Sequence, residues 1–157
     1  MNAATNHPNW ISNDHLTVKR FQPNDDQERA VARVIRLMLN TWVLRTTFEN
    51  ARRHGEAVSK LAEDHARAAR VQGFRDEVQA LKSVTLAAGQ PLFDDEFLSK
   101  AGTQIAYLLA TVRASRAAGQ DERAKAVLQD ALAMEEEIVT MEVDRALYGV
   151  DIQRMAA

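Results

Sequence analysis

Cysteine is absent from this chain, which rules out disulfides, cysteine-ligated zinc and thiol catalysis. The same absence fits an expected cytoplasmic location. Proline and glycine are scarce, with three and six in 157 residues, so few positions force a helix to stop. Long apolar runs are missing too. The most apolar stretch, VIRLMLNTWVL, is broken by Arg36 and Asn40 and is too short to span a bilayer, so no membrane span is expected. The first residues, MNAATNHPNW, show no basic-then-apolar targeting pattern.

What is present reads as an ordinary globular composition, with 46% hydrophobic and 27% charged residues. The length suits one domain with a sizeable core. Strong helix formers dominate after residue 27: alanine, leucine, arginine, glutamate and glutamine.

Residues 1–23 read as an Asn-rich, extended or partly ordered arm, with Trp10 and Ile11 as possible anchors and the alternating LTVKRF as a short strand or docking segment. Pro23-Asn24-Asp25-Asp26 starts a helix expected over about 25–53, whose inner stripe would be Val31, Ile35, Met38, Trp42 and Thr46. A second helix is expected over about 56–88, continuous or divided near Gly73. Gly89-Gln90-Pro91 makes the clearest break. A third helix begins around Asp94-Asp95-Glu96 and runs to about 118, with Leu98, Ala101, Ile105, Leu108 and Val112 inside. After Gly119 a fourth covers about 120–148, with Val127, Ala131, Met134, Ile138 and Met141 on its stripe. The expected fold is therefore all-α: an antiparallel bundle of four to five helices over 24–149, with the arm before it and a tail at 150–157.

The segment GQDERAKAVLQDALAM resembles the second helix of a tetratricopeptide repeat: Gly119, Ala124, Leu128, Ala131 and Leu132 stand where that family places its turn glycine and small or apolar positions. It covers under a fifth of the chain. The preceding helix lacks the family's aromatic and glycine, and no neighbouring copy follows at the family's period of about 34 residues. The segment reads as a generic helical hairpin.

The run AMEEEIVTME (133–142) is where chemistry suggests itself. At about 100° per residue, Glu136 and Glu137 fall away from the expected apolar stripe, whereas Glu135 and Glu142 share a face within it. Arg145, three residues after Glu142, is placed to pair with it. Glu49, His54 and His65 also fall on apolar faces, so the candidate buried polar cluster is Glu49, His54, His65, Glu135, Glu142 and Arg145. These are the ingredients of a ferritin-like carboxylate bundle, but no Glu-x-x-His occurs. Depth is also discordant: at 1.5 Å per residue from the turns, Glu49 lies roughly 6–9 Å down, His65 about 15 Å, Glu135 about 24 Å and Glu142 about 34 Å. Metal ligands must converge on one point, so no metal site and no cofactor is expected. Nucleotide-binding, hydrolase and zincin motifs are likewise missing, and no catalytic residue is assigned.

Charge is unevenly distributed. Between Arg29 and Arg75 ten Arg/Lys face four acids, whereas between Asp121 and Asp151 nine acids face three basic residues. Arg29, Arg33, Arg36, Arg52, Arg53, Lys60, Arg67 and Arg70 form a candidate anion-binding set of the kind that contacts nucleic-acid backbones. Interleaved acids dilute it, and aromatics for base stacking are nearly absent there. The expected function is a non-enzymatic interaction or assembly subunit that self-associates or docks to a protein partner. A nucleic-acid-associated protein using the basic 29–75 region is the alternative, and a ferritin-like carboxylate/His metal-binding bundle is a more distant one.

Overall fold

Asp25 and Glu28 open the first helix by exchanging hydrogen bonds with its unpaired end. The Glu28 amide donates to Asp25 Oδ1 at 2.8 Å, and the Glu28 carboxylate accepts from the Asn24 amide at 2.6 Å. Two amides that helix geometry leaves without partners are thereby satisfied. The computed structural model describes residues 20–53, Gln79, Leu81 and 84–150, which are all-helical apart from their connections. Three helices are defined among these residues: α1 (Asp26–Arg53), α2 (Asp95–Ala117) and α3 (Asp121–Tyr148). The arm before Arg20, most of the expected second helix and the tail after Val150 lie outside the described residues.

Asp94 caps α2, its side chain accepting from the Phe97 amide at 3.1 Å. The α2–α3 turn closes through Gln120 N–H to the Ser115 carbonyl (2.8 Å) and Gly119 N–H to the Arg116 carbonyl (3.1 Å). This wrap requires a left-handed residue, and Gly119 supplies it at φ 74°. So short a turn makes α2 and α3 an antiparallel hairpin. Helix α1 also runs antiparallel to α3. Glu28 meets the Tyr148 hydroxyl while Arg36 meets Glu136, so residue numbers rise on one helix as they fall on the other.

Each helix packs against both of the others. The core between them contains Val31, Ile35, Leu39 and Val43 of α1, Leu98, Ile105 and Leu109 of α2, and Leu128, Leu132, Val139 and Val143 of α3. On α1 this buried stripe is displaced from the expected one: Leu39 and Val43 are fully buried, while Met38, Trp42 and Thr46 are half-buried. On α3, likewise, Val127, Met134 and Met141 border the core and Leu128, Leu132, Val139 and Val143 fill it. A helix squeezed between two neighbours buries an arc wider than one heptad stripe, and the arc is centred where both neighbours reach it.

Residues 84–88 correct the expected end of the second helix, because they carry no helix. Instead the Ala87 amide donates to the Ala146 carbonyl of α3 at 2.8 Å, and a turn with Gly89 at φ 76° redirects the chain into Pro91. Among the described residues no helix is long and apolar enough to cross a membrane.

Candidate functional site

The middle of α3 carries Glu135, Glu136 and Glu137, three consecutive carboxylates that a helix turns in three directions. Glu137 is exposed, whereas Glu135 and Glu136 are 1% and 4% exposed. The burial of Glu136 corrects the sequence-based placement on the solvated side. It lies four residues after Leu132 and three before Val139, in register with the buried stripe of α3.

Burying two adjacent carboxylates is expensive unless cations come with them. Arg36, reaching across from α1, is the first. Its Nη1 donates to Glu135 Oε1 and, at 2.7 Å, to Glu136 Oε1, while Nη2 donates to Glu136 Oε2 at 3.3 Å. Arg20 is the second, donating from Nη1 to Glu136 Oε1 at 3.2 Å. The Phe21 backbone amide adds a bond to Glu136 Oε2 at 2.8 Å. Glu136 thus ties together α3, α1 and the segment before α1. Among the described residues the cluster brings together two guanidiniums and two carboxylates.

The cluster is unequal within itself. Glu135 Oε2 is buried and accepts no hydrogen bond. Burial, opposed by Arg36 and reinforced by the negative charge of Glu136, pushes the Glu135 carboxyl up to about 7. For Arg36 burial works against the charge, but the two carboxylates outweigh it and hold its pKa above the ordinary value.

A second buried ion pair lies further along α3. Arg145, 2% exposed, donates from Nε to Glu142 Oε2 at 3.0 Å. Its Nη1 donates to Gln90 Oε1 (3.1 Å) and the Pro91 carbonyl (2.7 Å), and Nη2 to the Leu92 carbonyl (3.1 Å). The guanidinium therefore fills its donor fork by pinning the turn that leads into α2. A loop crossing a helix exposes carbonyls, and Arg145 supplies the donors they need.

The remaining candidates separate by exposure. Glu49, expected on an apolar face, is exposed and pairs with Arg45 at 3.3 Å. Arg45 also stacks over the Trp42 ring at 5.3 Å. Arg29 pairs with Asp26, and Arg33 is exposed. Arg36 is committed to Glu135 and Glu136, which takes it out of the anion-binding set. His54, Lys60, His65, Arg67, Arg70 and the side chains of Arg52 and Arg53 lie outside the described residues. No group of three or more metal-ligating side chains converges among the described residues.

Sequence reasoning missed Arg20, Arg36 and Glu136 as one cluster. A signal for Glu136 was present in the spacing Leu132–Glu136–Val139–Val143. Nothing in the sequence pairs it with arginines about a hundred positions away.

Chemically, the arrangement holds elements together: each carboxylate faces a guanidinium of another segment or of the next helical turn. No protein-family model, curated protein or solved structure matches this chain.

Proposed function

We propose that this chain is a non-enzymatic helical subunit, a bundle of four to five helices with residues 1–23 as an arm, that works by associating with itself or with a protein partner. The observation that supports this reading is the outer face of α2. Tyr107 is 58% exposed at its centre. Around it on the same arc lie Thr103, Gln104, Ala110, Thr111 and Ala114, so more than two turns carry no charge. The nearest ionic pair on that arc, Lys100 with Glu96, lies toward the start of the helix. Small neighbours let another surface approach closely, and a tyrosine offers a rigid, largely apolar anchor with little rotamer entropy to lose.

The buried ion pairs bear on how such association would work. Glu135, Glu136 and Glu142 are bonded to arginines of their own chain. That withdraws three carboxylates from the acidic half, so attraction between oppositely charged halves contributes less than composition suggests. Apolar contact at Tyr107 is then the main drive, and association should survive high salt. Sedimentation velocity over a wide concentration range tests this. We expect reversible self-association or a retained protein partner, insensitive to salt and lost in Tyr107→Glu. A monomer at every concentration that retains no partner overturns the reading.

A further inference from the structure

The polar atoms on the outer face of α2 are largely used within the helix itself. Thr103 and Thr111 donate their hydroxyls to the Ser99 and Tyr107 carbonyls one turn back, at 3.0 and 3.2 Å. Ala110 and Ala114 bring no polar side chain. Gln104 and the Tyr107 hydroxyl remain as the polar groups at the centre of the face, on two exposed residues. Covering this face therefore strands few hydrogen-bonding groups.

Charge gives the same face a direction. Asp95 and Glu96 stand at the start of α2 and Arg113 near its end, all three exposed. Asp95 and Arg113 are about five full turns apart, so they share one flank of the uncharged surface. In a parallel pair of identical helices each would meet its own like charge. In an antiparallel pair about a two-fold axis, the same flanks meet in opposite directions, and Asp95 of each copy comes beside Arg113 of the other.

The sizes of the side chains agree with that direction. Antiparallel pairing about a point near residue 105 lays Tyr107 of one copy over Thr103 and beside Gln104 of the other. It also lays Lys100 over Ala110 and Glu96 over Ala114, so the long stems cross small residues. A parallel pair in register would instead stack Tyr107 on Tyr107 and Lys100 on Lys100.

We propose that the outer face of α2 binds the same face of a second copy of this chain, antiparallel about a two-fold axis. This rests on the reading of the chain as an associating subunit and commits the Tyr107 face to one occupant. The Asp95–Arg113 pairs lie at the solvated rim, so they set direction and register while apolar contact supplies the attraction. One helix pair is a small interface, and the dimer forms reversibly.

Cysteine crosslinking of the full chain tests the arrangement, because the chain has no cysteine of its own. A disulfide needs its two Cα atoms within about 7 Å. Lys100→Cys and Ala110→Cys proteins, mixed and oxidised at a concentration where sedimentation velocity shows self-association, should give a covalent dimer. Either variant alone should not, because its two cysteines stand about 15 Å apart along the antiparallel pair. Glu96→Cys mixed with Ala114→Cys, both at exposed positions, should behave in the same way. Crosslinking by single variants as strong as by the mixtures overturns the antiparallel pair, and so does a self-associated mixture that does not crosslink. Either result leaves the associating-subunit reading standing, as does a chain that retains a protein partner but never self-associates, which also overturns the pair. A monomer at every concentration that retains no partner overturns both.

Discussion

Gly102 on α2 meets Trp42 on α1 so closely that a Cβ at position 102 would stand 2.6 Å from the Trp42 Cβ and 3.2 Å from its carbonyl carbon. The obstacle is the root of a side chain and the helix backbone, which cannot swing aside as the tip of a flexible side chain does. This contact sets how near α1 and α2 come, and so how deeply Ile35, Leu39 and Ile105 are buried.

For Gly102→Ala, two effects oppose each other. Alanine favours the helical state by up to about 1 kcal/mol, but overpacking a close helix contact costs about 1–3 kcal/mol. The backbone contact makes the second effect win. We expect a net loss of about 1–2 kcal/mol, read as a lower urea midpoint with unchanged slope. A stabilised variant would show that the helices do not approach there.

Arg145 tests the second ion pair. Arg145→Met leaves Glu142 buried opposite an apolar side chain and strips three acceptors at Gln90, Pro91 and Leu92 of their donor. Breaking a buried pair by removing one member costs about 3–5 kcal/mol. Adding Glu142→Gln removes the charge that Arg145 balanced and should recover part of that loss, giving a favourable coupling in a double-mutant cycle. Hydrogen exchange at the Ala87 amide, which bonds the Ala146 carbonyl, should quicken in Arg145→Met as the turn loosens. Additive losses in the cycle would mean that Arg145 acts on the turn alone.

The pH dependence follows from Glu135. Its folded carboxyl is raised from 4.5 to about 7, so the folded state binds the proton more tightly than the unfolded chain. The resulting stabilisation is fully present below about 4.5 and is lost as pH rises through about 7. A rise from 4.5 to about 7 is worth about 3 kcal/mol. Glu135→Gln, which mimics the neutral form, should lack this dependence and be no less stable than the parent above neutrality. Denaturation across pH for the two proteins measures the difference directly, and parallel curves would refute the assignment.

Element boundaries were largely legible before any packing was known. Asp94 caps α2, Gly119 closes the α2–α3 turn and Gly149 ends α3 at φ 72°, each where residue chemistry places a stop. Such signals are local, needing only the few neighbours whose amides and carbonyls must be satisfied. Rotation about the helix axis was less legible. The expected stripe on α3 ran through Met134 and Met141, and the fully buried one runs through Leu132, Val139 and Val143.

Composition and local pattern by themselves determined that the described residues are helical, where α1, α2 and α3 begin and end, and that Glu142 stands one turn from Arg145. Only the tertiary structure decided that Glu136 is buried, that Arg36 is an internal cation, and that Arg20 is fastened to α3. A helical wheel gives the angle between side chains on one helix, which is a property of the backbone. Whether a charge at a given angle meets water or a guanidinium depends on a second segment, and Arg36 comes from one about a hundred residues away in the chain.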